Sequence, residues 1–399
     1  MPSLRRALSR ATAGAPMQSD NTVPAVRSDR VVSVDVLRGF NFIWILGGDG
    51  LMLTLAAMLR HFGSPWLEIG HALNDQFHHT VWDGFTFYDF IFPLFIFITG
   101  VSIVLSVPQL VERSGSGAAQ LRILRRALTL YVLGLVYYGG LTHGLADVRF
   151  LGVLQRIAIC YLAASLIFLH VGRRGIVAIV VALLAGYWAL MTFIPVPGIG
   201  AGHYGPDQNL ANWIDLNYLP GRLWDKTRDP EGPLSTLPAI ATCLLGVLAG
   251  GVLTEKRLAT QRRSILLIGT GIALLIAGYL WALQFPIIKA IWTSSFVLVA
   301  GGYSFIALGL LFQIIDVWNL RTGITPFVWI GTNAITLYLL NALMGFNAVA
   351  QRLVGGYAMI GLDNVTVPAA HAFLIRLAEV SIAILIARFL FQRRIFLRV

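Results

Sequence analysis

Residues 78–100 read HHTVWDGFTFYDFIFPLFIFITG, and their first half holds side chains suited to moving protons. His78, His79, Trp82, Asp83 and Asp89 fall within twelve residues, and no charge follows Asp89 before the stretch ends. An imidazole takes a proton from an amine or a hydroxyl at neutral pH. A nearby carboxylate orients the ring and favours its protonated form. Such spacing suits a general base, and it equally suits a proton-coupled transporter.

The elements that must position this cluster follow from composition. Of 399 residues, 57% are hydrophobic and 12% charged, with a mean hydropathy of +0.74, far from an ordinary soluble chain. Apolar runs able to cross a hydrocarbon core of about 30 Å recur from end to end. Ten are expected, at roughly 39–58, 86–107, 124–142, 151–170, 175–195, 235–253, 264–283, 291–315, 324–346 and 371–391. The chain therefore reads as an all-α polytopic membrane protein of about ten transmembrane helices, placed in the cell inner membrane. A net charge of +11 would suggest a nucleic-acid partner for a soluble protein. Here the basic residues sit in short loops between apolar runs, so membrane topology explains them and no nucleic acid is implied.

Alternate loops divide those charges unevenly. One side takes 21 of the 30 lysines and arginines, among them Arg38, Arg122, Arg125, Arg126, Arg262 and Arg263. The positive-inside rule then puts both termini in the cytoplasm and sends the polar segments near 59–85 and 196–234 outside. The second segment carries Tyr204, Trp213, Tyr218 and Trp224, which suits an ordered loop facing a ligand or anchoring at the interface. Residues 1–32 are expected to form a disordered cytoplasmic tail, and 33–399 a single transmembrane domain. Cys160 and Cys243 both fall in apolar runs and read as small buried residues rather than a disulfide or metal pair.

Charges inside a span are candidates for function, because burying them is costly unless they are paired or hydrated. Asp49 follows Gly47 and Gly48 in the outer half of the first run. Arg38 lies about 16 Å down the same expected helix, at 1.5 Å per residue. Arg156, in the fourth run, is expected to snorkel outward or to pair with Asp49 or Asp89. Asn333 and Asn341, eight residues apart, are expected on one helix face, where hydrogen bonding between helices is their ordinary use.

The segments SVDVLRGF, HTVWDGFTFYDFIFPLFIFITGVSI, GVLQR, DPEGPLSTLPAIATCLLGVLAG and GTNAITLYLLN, in that order, resemble the bacterial relatives of heparan-α-glucosaminide N-acetyltransferase. The resemblance runs from about residue 33 to 345. It implies a transmembrane acyltransferase that takes an acetyl group from acetyl-CoA in the cytosol and passes it to an amino sugar on the opposite face. The family's catalytic histidine precedes a small-residue–x–Trp–Asp/Asn–Gly pattern, which implies His79 in HTVWDG. A polar residue eleven positions after the arginine of the Arg-Gly pair is also implied, and here it is Asp49, where the animal enzyme has asparagine. Aspartate accepts hydrogen bonds but cannot donate them when ionised. The loop between Asp49 and His79 is also longer than in the animal enzyme. The large lumenal domain before the first core helix of the animal protein is expected to be absent.

On that footing His79 is the expected general base, oriented by Asp49 or Asp89, with an acetyl-histidine intermediate as the rival route. Phosphates of CoA require arginines, so Arg38, Arg125 and Arg126 are donor-site candidates. Asn333, and Arg156 beside Gln155, are candidates to hold the donor and its developing oxyanion. No metal is expected. The expected partners are acetyl-CoA, a glycan or amino-sugar acceptor and the lipid bilayer. A homodimer is compatible with the sequence without being specified by it. Two other functions stay open at this point: a transporter of a sugar or sugar-derived anion, and a non-catalytic membrane protein that binds a glycan.

Overall fold

The computed structural model describes residues 31–140, 142, 144–356 and 369–396. The tail expected over 1–32 lies outside these residues except for its last two positions. Among the described residues the regular elements are all helical, with isolated β-bridges in place of strands.

Helix α1 (Val32–Ile43) continues through a π-helical turn at Trp44–Gly48 into α2 (Asp49–Leu59). The short α3 (Trp66–Gln76) precedes α4 (Phe87–Ser114), α5 (Ser116–Tyr137), α6 (Val153–His170) and α7 (Arg173–Phe193). A small helix, α8 (Leu210–Tyr218), lies in the long polar segment before α9 (Thr236–Thr254). Next come α10 (Thr260–Ala282), α11 (Ser294–Phe312), α12 (Thr325–Thr332), α13 (Ala334–Met344), α14 (Phe346–Ala350) and α15 (Ala370–Gln392).

Among the described residues, seven segments are long and apolar enough to cross a membrane, and the bent pair α12–α13 makes up to eight. This is a polytopic membrane architecture. Two more long helices, α5 and α15, each carry three charged residues: Arg122, Arg125 and Arg126 in one, Arg376, Glu379 and Arg388 in the other.

The centre is built on α4 and α9. These helices approach closely because each presents glycine to the other: a Cβ on Gly100 would collide with the Cys243 carbonyl, and one on Gly246 with the Phe97 carbonyl. Both cysteines are free and fully buried. Helices α6 and α11 pack on this pair, and α10 lies against α11.

Two spans expected to be continuous are broken, and each break matters to a candidate site. In the first, Leu46 and Gly47 leave helical geometry, and Gly47 takes φ +103°, which a residue with a Cβ rarely adopts. The carboxylate arm of Glu379, from α15, lies directly against the Gly47 Cα. Asp49 therefore starts a new helical segment, α2, beyond a kink in the span that carries Arg38. In the second, α12 and α13 meet at 76° across Asn333. Asn333 stands at the break as the N-cap of α13, and Asn341 lies within that helix.

Candidate active site

Helix α4 starts with a capping box. Thr86 is the N-cap, and Asp89, three residues on, returns to the cap backbone. Asp89 has no exposed surface. Its Oδ2 accepts from the Thr86 N–H (3.2 Å) and hydroxyl (3.0 Å), and from the Thr80 N–H (3.2 Å) and hydroxyl (3.0 Å). Four donors on one oxygen fix the carboxylate and leave Oδ1 free to work. That oxygen accepts the Nδ1–H of His79 at 2.8 Å. The bond selects the tautomer whose Nε2 carries the lone pair.

His79 is half exposed and borders a cavity of about 450 Å³ that also takes in Tyr88, Trp82, Arg149, Trp224, Glu231 and Lys289. The Tyr88 ring stacks on the imidazole at 4.6 Å. The Tyr88 hydroxyl donates to Asp49 Oδ2 at 2.8 Å. Asp49 thus reaches His79 through a tyrosine, whereas Asp89 touches it directly. The neighbouring His78 bonds the Asn74 carbonyl through Nδ1 (2.8 Å) and holds the loop instead of facing the cavity.

Lys289 completes the cluster and was not among the sequence-derived candidates. Its Nζ lies 2.9 and 3.2 Å from the two ring nitrogens of His79 and 3.3 Å from Asp89 Oδ1. Burial pulls this ammonium below the usual lysine range, and the Asp89 charge opposes that pull. It is separated from His79 by 210 positions, so no local pattern could have linked them.

Arg149 forms the opposite wall. It donates to Asp229 through Nε (3.2 Å) and Nη2 (2.8 Å), and to Glu231 through Nη2 (2.6 Å). Its guanidinium is held between the Tyr138 and Trp224 rings, each 4.5 Å away. Burial alone would lower this arginine; the bond to Asp229 and the charge of Glu231 outweigh it and raise the net value. DPEG at 229–232 is thus a counter-charge loop, which its place in the sequence motif did not reveal. Trp224 lines the cavity, Tyr204 and Trp213 pack in an apolar cluster that also takes in Trp82, and Tyr218 is exposed.

A second cavity, of about 170 Å³, opens toward the other end of the same helices. Arg38, Arg126 and Asn333 line it together. Arg38 donates to Ser102 Oγ (2.8 Å) and the Gly331 carbonyl (3.3 Å). Arg126 lies over the Tyr161 ring at 4.8 Å, and its buried Nε meets no partner, as is true of Asn333 Oδ1. The other two donor-site candidates lie elsewhere. Arg125 is exposed on α5. Arg156 is fully buried under the DPEG loop, bonded to Ser235 Oγ and the Gly232 carbonyl and stacked on Trp292, not paired with Asp49 or Asp89.

Along α4 the two cavities are separated by the step from Phe92 to Phe95, about one helical turn. Aromatic side chains fill the interval: Tyr338 stacks on Tyr137 at 4.4 Å and meets Phe42, which in turn packs on Phe95.

A family model described as "Heparan-alpha-glucosaminide N-acetyltransferase, catalytic" matches residues 30–278. The chain is 28% identical to human heparan-alpha-glucosaminide N-acetyltransferase over 373 residues, covering 78% of this chain and 52% of that protein. It is 27% identical to the mouse protein of the same name over 349 residues, covering 73% and 51%. The chain thus spans about half the length of the curated relatives it matches. The matched segment holds His79, Asp89, Asp49 and the DPEG loop; Lys289 and Asn333 lie beyond it. More than half of the chain falls within the model, and on that ground it belongs to the heparan-alpha-glucosaminide N-acetyltransferase catalytic family.

Proposed function

We propose that this protein is a membrane-embedded acetyltransferase. It moves an acetyl group from cytoplasmic acetyl-CoA to the amine or hydroxyl of an amino sugar on the outer, periplasmic face, with His79 as general base. The observation that carries this reading is the pair of cavities set end to end on shared helices. One holds an oriented histidine. The other holds Arg38 and Arg126, and the buried Nε of Arg126 meets no partner.

Donor and acceptor then come from opposite sides. The basic-residue count supports a cytoplasmic position for Arg38 and Arg126 and an outer position for His79, with ten spans and both termini inside. Arg38 and Arg126 suit the phosphate end of the donor, while a 170 Å³ space suits its linear arm better than its nucleotide. The aromatic interval is short enough for a thioester to be presented to His79 without moving the whole donor across.

In the transfer step His79 Nε2 takes a proton from the attacking nitrogen or oxygen as its bond to the acetyl carbon forms. The carbon–sulfur bond breaks, and His79 returns that proton to the leaving sulfur. Asp89 holds the ring through the Nδ1–H bond and stabilises the charge His79 carries between the two events. The acceptor sugar has aromatic surface at Trp82 and Trp224 to lie on.

The test is CoA release by purified protein given acetyl-CoA and glucosamine-type acceptors, wild type beside His79→Ala. Acceptor-dependent release that disappears in His79→Ala supports the reading. Sugar uptake into proteoliposomes with no CoA release would move the assignment to a transporter.

A further inference from the structure

We propose that Lys289 is the second proton acceptor of the site, the group that strips an incoming ammonium so that its amine can attack. The proposal rests on the acetyltransferase reading above and narrows the acceptor to an amine.

Its placement is built into the fold. The Ile288 N–H donates to Thr293 Oγ1 (3.0 Å), that hydroxyl donates to the Pro286 carbonyl (2.8 Å), and the Trp292 N–H closes onto the Lys289 carbonyl (3.0 Å). Trp292, at φ +54°, is buried against Phe92 and Phe296. The turn is then tied to the histidine loop by an antiparallel bridge between Asp83 and Ile288 and by the Gly84 N–H on the Ile287 carbonyl (2.9 Å). The backbone from which Lys289 projects is thus fixed beside the histidine loop.

The charge balance around it allows one added proton, not two. Among the described residues, Asp89 is the one carboxylate in contact with both His79 and Lys289. From the other elements facing the cavity, Glu231 is engaged by Arg149, Asp225 by Arg228, and Asp49 bonds the Tyr88 hydroxyl. Two cations within 3.2 Å would share a single negative partner. Burial lowers the lysine while the Asp89 charge opposes it, so His79 and Lys289 compete for the same carboxylate.

An ammonium acceptor has two protons to lose before the amide is complete, and the site supplies two bases. Lys289 Nζ takes the first and releases it to solvent before the second is taken, so the pair never carries two added protons. The freed amine forms its bond to the acetyl carbon, His79 Nε2 takes the second proton, and the carbon–sulfur bond breaks. His79 passes its proton to the sulfur, giving the free thiol. The sum is ammonium plus thioester giving amide, thiol and one proton. A hydroxyl acceptor, with one proton to lose, would need His79 alone.

The experiment is kcat/KM for acetyl transfer to glucosamine as a function of pH, comparing wild type, Lys289→Met and Lys289→Arg. Methionine cannot take a proton, and arginine keeps the charge but cannot be deprotonated. Both variants are expected to fall by about tenfold or more near pH 6.5 and to converge on wild type near pH 9, where the acceptor arrives already neutral. Ratios that stay constant with pH, wild-type activity in either variant, or rescue by arginine alone would overturn the proposal while leaving the acetyltransferase reading intact. A wild type that releases no CoA with any amine sinks that reading and this one with it.

Discussion

The Tyr88 hydroxyl donates to Asp49 at 2.8 Å while the same ring lies stacked on His79. Asp49 enters this relationship as an acceptor, a role that asparagine can fill through its carbonyl. Asp49→Asn should therefore keep kcat within about threefold, whereas Asp49→Ala, which leaves the phenol without its acceptor, should lose about tenfold to a hundredfold. Tyr88→Phe keeps the stack and removes the bond, so it should resemble Asp49→Ala. Steady-state kinetics of the three variants decide the matter. Equal loss in Asp49→Asn and Asp49→Ala would mean that the charge itself is needed.

Asp89 serves both a helix and a histidine, and the two roles can be separated. Thr86→Ala removes the capping hydroxyl and should lower thermal stability by about 1 kcal/mol with a modest loss of activity. Asp89→Asn keeps most of the local shape but presents an amide to the His79 Nδ1–H. It should cost kcat at least about a hundredfold, because the ring is no longer held in the productive tautomer. Thermal denaturation and turnover measured on the same preparations test this. A Thr86→Ala variant as inactive as Asp89→Asn would show that the helix start, not the His79–Asp89 bond, carries the effect.

How far the sequence reveals this site depends on the distance along the chain. His79 and Asp89 lie ten positions apart, and the Thr-x-x-Asp box that locks the carboxylate is itself a local pattern, so the core of the site is legible. The apolar runs are legible for the same reason: they need only a count of consecutive side chains. Lys289 and the Arg149–Asp229–Glu231 wall depend on contacts made 80 to 210 residues apart, which no periodicity records. The breaks are hidden for another reason. Trp44–Gly48 and Asn333 sit inside uninterrupted apolar runs, and it is packing against Glu379 and the 76° turn that expose them. Arg125 and Arg126, adjacent in sequence, differ only in the helix face they occupy: one is exposed, the other lines a cavity.

That difference between neighbours is itself a test of the donor site. Arg126→Ala removes a guanidinium with unsatisfied capacity from the second cavity and should raise the KM for acetyl-CoA by about tenfold, with little change in kcat. Arg125→Ala should leave both within about twofold. Direct binding of acetyl-CoA by calorimetry should follow the same order. Equal weakening in the two variants would mean that the positive charge of α5 acts at a distance and that the second cavity is not where the donor sits.

Asp215 supplies a stability test that does not depend on the reaction. It is buried beside Gly232, accepts the Asp229 N–H at 3.2 Å, and has one oxygen without a partner. Burial pushes its carboxyl up to about 7. The folded state therefore favours the protonated form, and the stability this contributes is complete below the ordinary carboxylate value. It is lost progressively as pH rises and is gone once pH passes through about 7. A displacement of that size corresponds to on the order of 4 kcal/mol between the two protonation states. Asp215→Asn stays neutral throughout, so it should match wild type near about pH 3.5, begin to exceed it by pH 5 and exceed it in Tm by several degrees near pH 8. Because Asp229 and Glu231 hold Arg149 from the same loop, the wild-type cavity wall should also loosen at high pH, visible as faster hydrogen exchange over 225–235. Parallel Tm curves for the two proteins between about pH 5 and pH 8 would show that Asp215 is already ionised in the fold, compensated by Arg156 across Gly232.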